Sequence, residues 1–176
     1  MNLFRLMLII GQYGPFILLF MSFYFLKNLN NYLFYFTFGY FLNILLNIVL
    51  KGLFKQPRPM DDERLFNIAI KNGKRFLMHN GMPFDMFGMP SGHAQSVMYS
   101  TCFIFLVLKD IKITIFYLLI SIITFYQRVI EKYHTVFQVF VGCIVGIFFA
   151  YFIYYLGNKK LIGNIRFKKD DFGPIY

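Results

Sequence analysis

The sequence predicts an all-α integral membrane protein in which about five helices form a bundle across the bilayer. Hydrophobic residues make up 58% of the 176-residue chain and charged residues only 15%, against about 45–50% and about 25% in soluble domains. The apolar residues also fall into five runs, and about 20 apolar residues allow an α-helix to cross a bilayer. A small water-soluble globule lacks the interior volume to bury this much apolar surface.

The first two predicted spans are Leu3–Leu26 and 32–50. The Gly14-Pro15 pair lies inside the first span, where a membrane helix tolerates a kink. A cleaved signal peptide is the competing interpretation of this segment. Its apolar region would cover only about 7–15 residues and end at a small-residue cleavage site. Because no such site precedes Lys27, we expect a spanning helix.

The rest of the chain alternates polar links with apolar runs. The link at 51–90 holds four of the six prolines, and we expect it to form the active-site loop. The later spans are expected at Gly92–Leu108, 113–126 and 134–156, separated by links at 109–112 and 127–133. Residues 1–156 would thus form one membrane domain, followed by a basic tail at 157–176.

Five spans place the links at 51–90 and 127–133 on the same membrane face as the N-terminus. Ten of the 18 Lys and Arg residues lie on that face. Lys51, Arg58 and Arg128 lie at or near the ends of apolar runs, where a basic residue can serve a site rather than orientation. Without these three, seven basic residues remain on that face against eight on the other. Because cytoplasmic loops carry the excess of basic residues, we expect a cytoplasmic tail and an active site on the lumenal side of the endoplasmic reticulum or a comparable membrane.

The net charge of +10 would suit nucleic acid, anionic lipid or a phosphorylated substrate. The basic residues lie between apolar runs rather than in one solvated patch, so we expect no nucleic-acid partner. Cys102 and Cys143 both lie inside apolar runs. This placement predicts packing residues, not a disulfide framework.

Three spans carry polar or small residues at helical spacing, which places them on one helix face. The stripes are Gly39, Asn43, Asn47 and Lys51, then Gly92, His93, Ser96 and Ser100, then His134, Gln138, Gly142 and Gly146. Small and amide side chains commonly hold membrane helices together, and this is the simpler interpretation for the Asn, Ser and Gly residues. Ionisable groups near the membrane are usually functional, which singles out Lys51, His93 and His134.

Three segments suit chemistry on a phosphate. Lys51, Arg58 and Arg128 supply fixed cations, and a guanidinium can bind two phosphate oxygens at once. Ser91 and Gly92 open the third span, and a helix N-terminus binds anions. Two histidines, His93 and His134, can divide phosphoryl transfer. One attacks phosphorus, and the other protonates the leaving oxygen.

The motifs Lys51…Arg58-Pro59, Pro90-Ser91-Gly92-His93 and Arg128…His134 resemble those of the type 2 phosphatidic acid phosphatase (PAP2) superfamily. The resemblance extends over about 3–156 and implies a helical membrane bundle of the PAP2 type. Two positions depart from the family pattern: Gln127 replaces a usual Ser, and Gln138 replaces a usual Asp. The residues at 88–95 and 133–139, with Gln138 among them, are similar to the dolichyl-diphosphatase branch, which removes the terminal phosphate of a polyisoprenoid diphosphate.

The resemblance implies a role for each site residue. His134 would be the nucleophile that becomes phosphohistidine, Gln138 would hold its other ring nitrogen, and His93 would protonate the leaving lipid phosphate. The phosphoryl oxygens would be bound by Lys51, Arg58, Ser91, Gly92 and Arg128. The family needs no metal or cofactor.

Two other polar features, an acidic run and a third histidine, fit structural roles better than catalytic ones. The acidic run Asp61-Asp62-Glu63 lacks the spacing of a metal site, and we expect a solvated loop there. His79 has no motif around it, and we expect a loop histidine.

Two other functions are compatible with the sequence. Gln138 could mark a catalytically inactive relative that binds lipid phosphate or a partner, although such a protein has no need to retain both histidines. The polar groups could belong to a small transporter or channel, although the ionisable ones stay at one membrane edge. Among lipid phosphates, phosphatidic acid or a sphingoid phosphate is the alternative substrate.

Overall fold

The structure, a computed structural model, describes residues 2–59, 62–79 and 82–160. Its elements in chain order are α1 (Leu3–Leu26), α2 (Asn30–Phe54), α3 (Glu63–Lys71), β1 (Phe76–His79), β2 (Met82–Asp85), α4 (Gly92–Leu108), α5 (Ile111–Ile130) and α6 (Val136–Lys160). The predicted all-α membrane bundle is confirmed. Four helices are long and apolar enough to cross a membrane, and α4 is a shorter apolar helix. The predicted tail falls partly in α6, and 161–176 lie outside the described residues.

Six of the ten predicted helix boundaries differ from the observed ones, by two to four residues. Lys51 lies in the last turn of α2 and Arg128 in the last turn of α5, where polar links were expected. His134, expected to open the last span, precedes α6. A helix continues past its apolar run until its backbone groups find a cap, which for α2 is the left-handed Lys55, whose N–H donates to the Lys51 carbonyl. Apolar run length therefore underestimates these helices.

The expected loop at 51–90 contains an additional helix. The side chain of Asp62 caps α3 by accepting from the N–H of Arg64 at 2.8 Å, and Glu63 lies in the first helical turn. Acidic residues favour this end of a helix because of the helix dipole. Asp62 is exposed and precedes the helix, as a solvated loop residue would, whereas Glu63 belongs to α3, so the loop prediction is wrong for Glu63. Asp61 lies outside the described residues.

A short antiparallel hairpin follows α3. Strand β1 pairs with β2, and Phe76 faces Asp85 in the register. The backbone of His79 belongs to β1, so the expected loop position is wrong. Phe66 of α3 packs edge to face on Phe87, with ring centroids 6.1 Å apart. This small apolar cluster fixes the hairpin, which ends at Asp85.

Helix α4 is the centre of the bundle, in contact with α1, α2, α5 and α6. Its closest neighbour is α6, whose glycines permit the approach. A Cβ atom at Gly142 would lie 2.6 Å from the carbonyl oxygen of Ser91, and one at Gly146 would overlap the carbonyl of Gln95. The close helix packing predicted at these two glycines is confirmed, and it fixes the start of α4 against α6.

Amide side chains connect α2 to α4 inside the bundle. Asn47 donates to the Gln95 side chain at 2.8 Å, and Gln95 donates to the Asn43 side chain at 2.8 Å. Asn47 also donates to the carbonyl of Pro90 at 3.2 Å, just before α4 begins. The predicted stripe on α2 is therefore buried, and its amides hold the helices together, as expected for polar groups in lipid.

The outer surface of the bundle is apolar, with large exposed side chains on every long helix, such as Phe20, Phe41, Leu119 and Phe148. Such a continuous apolar surface is what a helix bundle presents to lipid. Cys102 and Cys143 are both free thiols, in agreement with the expected absence of a disulfide between them.

Candidate active site

A cavity of about 390 Å³ brings together polar residues of four helices, of the hairpin and of the segments that follow α2 and α5. Its lining residues are Gln12, Lys51, Arg58, Asp85, Gly92, His93, Arg128, Tyr133 and His134. Six of the eight predicted site residues are among them. The other two, Ser91 and Gln138, are buried behind the wall. Residues distant in the sequence thus meet at one place.

His134 is held from both sides of its ring. Its Nδ1 atom lies 3.3 Å from Oε1 of Gln138, and its Nε2 atom lies 3.4 Å from Nη1 of Arg58. An amide oxygen only accepts, so Nδ1 carries the hydrogen and the lone pair belongs to Nε2. The nitrogen suited to attack therefore lies beside the Arg58 guanidinium.

The environment keeps this imidazole neutral. Burial, followed by the charges of Arg58 and Lys51, lowers the pKa of His134 to about 2. The hydrogen bond to Gln138 acts in the opposite direction but is the smaller effect. A neutral ring is the nucleophilic form, so the cations that would bind phosphate also prepare His134 for attack.

Gln138 has a second structural role at the start of α6. Its N–H donates to the Thr135 hydroxyl at 3.1 Å, and its Oε1 accepts from the Thr135 N–H at 3.2 Å. This reciprocal pair is a capping box. Its Nε2 donates to the Pro57 carbonyl at 2.9 Å, which fixes the orientation of the amide. Helix capping alone could therefore account for a Gln at this position.

The two arginines are oriented by neighbouring residues. Arg58 donates from Nε to the Asp85 carbonyl at 3.1 Å and from Nη1 to the Tyr133 carbonyl at 3.4 Å. Arg128 donates from Nε to the side chain of Gln127 at 2.6 Å, and its guanidinium lies 4.5 Å from the Tyr133 ring centroid. Gln127 thus holds Arg128 in place.

Lys51 reaches the cavity beside a carboxylate. Its Nζ lies 3.7 Å from Asp85, whose carboxylate also accepts from Arg75. Burial on its own would raise the pKa of Asp85, but the hydrogen bond from Arg75 and the charge of Lys51 outweigh it and lower the pKa. The carboxylate is therefore ionised at neutral pH.

The N-terminus of α4 forms part of the cavity wall through Gly92 rather than Ser91. The Ser91 N–H donates to the Gln138 carbonyl at 3.0 Å. The side chain of Ser91 is buried, and within the described residues its hydroxyl has no hydrogen-bond partner. At Gly92 a Cβ would lie 3.0 Å from the Asn47 amide oxygen, so glycine lets the helix start close to α2.

His93 is attached to α1. Its Nε2 lies 3.2 Å from the backbone oxygen of Gln12, and a carbonyl only accepts, so Nε2 carries a hydrogen. The N-terminal helix thus fixes the tautomer of one of the two candidate catalytic histidines.

A second cavity, of about 470 Å³, is an apolar groove between α1 and α2. Its apolar wall includes Pro15, Phe16, Leu19, Phe23, Tyr40, Phe41, Ile44 and Ile48. Gly92 and His93 line this groove as well as the polar cavity. The two cavities therefore adjoin at His93, and a molecule with a charged head and an apolar chain could occupy both.

Three lining residues were not predicted. Tyr133 lies directly before His134, and Gln12 is an isolated amide in the first apolar run. Each therefore has a sequence feature that could have suggested a role at the site. Asp85 had no such indication, because its position depends on a hairpin that was expected to be irregular loop. Among the described residues, no three His, Cys, Asp or Glu side chains are grouped so as to hold a metal ion.

Comparison with known proteins identifies a family. A family model described as the PAP2 superfamily matches residues 32–162, which is more than half of the chain and contains every predicted site residue. No curated protein and no solved structure matches the chain.

Proposed function

The chain belongs to the PAP2 superfamily, and on this premise we propose that it removes the terminal phosphate of a polyisoprenoid diphosphate of the dolichyl type. Members of the family are generally phosphatases that act on lipid phosphates. The observation that carries the proposal is the polar cavity, in which two histidines and three cations converge. This set can bind a phosphoryl group, attack it and protonate the leaving oxygen.

In the first step, Nε2 of His134 attacks the terminal phosphorus. The N–P bond forms as the bond from phosphorus to the bridging oxygen breaks, and the lipid monophosphate leaves. Arg58, 3.4 Å from Nε2 in the structure, turns from the ring to the phosphoryl oxygens. Lys51, Arg128 and the Gly92 N–H stabilise the negative charge that develops on those oxygens.

His93 supplies the proton to the departing bridging oxygen. To act as the acid, His93 must be doubly protonated, so it takes up a proton together with the substrate, whose negative charge favours the charged ring. Nε2 then keeps its bond to the Gln12 carbonyl, and the proton passes from Nδ1 to the departing oxygen, which leaves His93 neutral. In the second step, His93 accepts a proton from water as the water attacks the phosphohistidine. Inorganic phosphate leaves, and His134 returns to its neutral form.

The apolar groove favours a lipid with one chain next to its phosphate. The groove is bounded by α1 and α2, and aromatic residues contribute much of its wall. A polyisoprenoid diphosphate has a single chain attached directly to the diphosphate. Phosphatidic acid has two acyl chains on a glycerol backbone, which a single groove at the catalytic histidine accommodates less well.

The orientation we propose places the cavity on the lumenal side of the endoplasmic reticulum or a comparable membrane, with the C-terminus in the cytoplasm. The slight excess of basic residues on the tail side supports this orientation. A C-terminal tag in sealed ER vesicles, cytoplasmic side out, should be digested by added protease. Protection of the tag until detergent is added would show the opposite orientation.

The substrate is tested by phosphate release from the full chain purified in detergent. The panel comprises a polyprenyl diphosphate, phosphatidic acid and a sphingoid phosphate, with His134→Ala as the inactive control. We expect the highest kcat/KM on the polyprenyl diphosphate. A preference for phosphatidic acid would reject the proposed substrate, and release no faster than from His134→Ala on all three lipids would favour a non-catalytic lipid-binding role.

A further inference from the structure

We propose that Asp85, clamped by Arg75, is a positioning residue that sets Lys51 for phosphate binding; this inference rests on the proposed phosphatase function. Asp85 lies at the end of β2 and lines the polar cavity. A carboxylate repels the phosphate that the cavity would bind, so Asp85 is unsuited to contact substrate itself. Its contacts with the cations of the cavity indicate a different role.

Asp85 connects two of the three cations to the hairpin. Its carboxylate lies 3.7 Å from Nζ of Lys51. Its backbone carbonyl accepts from Nε of Arg58 at 3.1 Å. Lys51 belongs to α2, and Arg58 belongs to the segment that follows it. Asp85 contacts both side chains and so fixes their positions relative to each other.

The carboxylate is held mainly by partners outside the cavity lining. Arg75 donates to both of its oxygens, at 3.3 and 3.0 Å, and the Phe87 N–H donates to Oδ1 at 3.0 Å. Arg75 also donates to the Ile48 carbonyl at 2.8 Å, which lies one helical turn before Lys51. The clamp therefore attaches Asp85 to the helix that carries Lys51.

Among these contacts of the Asp85 carboxylate, the one with Lys51 is the longest and therefore the weakest. At 3.7 Å it is longer than a good charge-assisted hydrogen bond, which is about 2.7–2.9 Å. The side chain of Lys51 is only 8% exposed, and a buried cation without a counter-charge is unfavourable. Asp85 thus retains Lys51 at the cavity, while Arg75 and Phe87 hold the carboxylate away from the ammonium group.

The first test is the affinity for inorganic phosphate, measured by calorimetry on the detergent-solubilised full chain. Asp85→Asn keeps the backbone carbonyl that binds Arg58 but removes the charge beside Lys51. We expect it to weaken phosphate binding by about 10- to 100-fold, by analogy with the loss of affinity when residues that orient metal ligands are changed. Asp62→Asn, which removes an exposed carboxylate while keeping a good helix cap, should leave the affinity unchanged.

A double-mutant cycle separates positioning from a structural effect. If Asp85 acts through Lys51, then adding Asp85→Asn to Lys51→Met should cost little further phosphate affinity. Fully additive losses, or a large drop in melting temperature for Asp85→Asn alone, would overturn the inference. So would tighter phosphate binding by Asp85→Asn, which would make Asp85 a competitor for Lys51. Phosphate binding needs no turnover, so the result is independent of whether the chain hydrolyses a polyprenyl diphosphate.

Discussion

Nδ1 of His134 lies 3.3 Å from Oε1 of Gln138, and the same oxygen accepts from the N–H of Thr135 at 3.2 Å. One amide oxygen therefore both caps α6 and fixes the tautomer of the proposed nucleophile. The two roles have different consequences for activity, and variants can separate them.

Replacing Gln138 by Leu should nearly abolish turnover. The variant loses the acceptor for the Nδ1 hydrogen, and the wrong tautomer of a catalytic histidine costs about 10⁴-fold in the serine-protease example. The measurement is kcat for phosphate release. Thr135→Ala is the matched control, because it removes the hydroxyl of the capping box, costs about 1 kcal/mol of stability and spares the contact with His134. Equal activities of the two variants would reduce Gln138 to a helix cap.

Replacing Gln138 by Asp should move the acidic limb of the pH profile of kcat/KM to higher pH. Burial and neighbouring cations lower the pKa of His134 to about 2, so its protonation does not limit the parent enzyme near neutral pH. An adjacent carboxylate favours the charged ring and raises this pKa. Protonation of the nucleophile would then begin at higher pH, with measurable activity retained above it. An unchanged acidic limb would contradict this account.

Replacing His93 by Ala should lower kcat/KM most for substrates with poor leaving groups. General acid catalysis contributes about 10²–10⁴-fold, and a lipid phosphate leaving group needs that proton. An activated aryl phosphate needs it less and should be partly spared. The comparison is the loss of kcat/KM on polyprenyl diphosphate against that on the aryl phosphate. Similar losses on both would exclude the acid role.

Replacing Gly142 by Ala should impair both stability and activity. The added Cβ would lie 2.6 Å from the Ser91 carbonyl oxygen and 3.2 Å from Cβ of Ala94, which forces α6 away from the start of α4. Such overpacking costs about 1–3 kcal/mol, measurable as a lower melting temperature in detergent. Gly157→Ala on the same helix, where a Cβ would be in ordinary contact with the Tyr35 side chain at 3.4 Å or more, should behave as the parent does.

The bundle itself was predictable from the sequence because lipid imposes simple constraints on length and polarity. The segments Leu3–Leu26 and Gly92–Leu108 were predicted with the bounds that the helices have. The stripe from Gly39 to Lys51 also has the buried face that its spacing indicated. Both features depend on local patterns, the length of an apolar run and the spacing of polar residues, and a single sequence contains these patterns.

The site was predictable only in part. The motif residues meet in one cavity, but Ser91 is buried behind its wall and Asp85 enters it from a hairpin that the sequence did not indicate. The positions of Asp85 and Gln12 depend on packing between distant segments. The Arg75 contact with the Ile48 carbonyl and the His93 contact with the Gln12 carbonyl join residues far apart in the sequence. A local sequence pattern cannot predict such contacts.

The most direct test of the central proposal is the detection of phosphohistidine at His134. The full chain would be mixed briefly with a polyprenyl diphosphate labelled at its terminal phosphate, quenched in base and digested for mass spectrometry. We expect an acid-labile label on the peptide that contains His134, and neither label nor turnover in His134→Ala. Label on another residue, or hydrolysis by His134→Ala close to the parent rate, would contradict the assignment of His134 as the nucleophile.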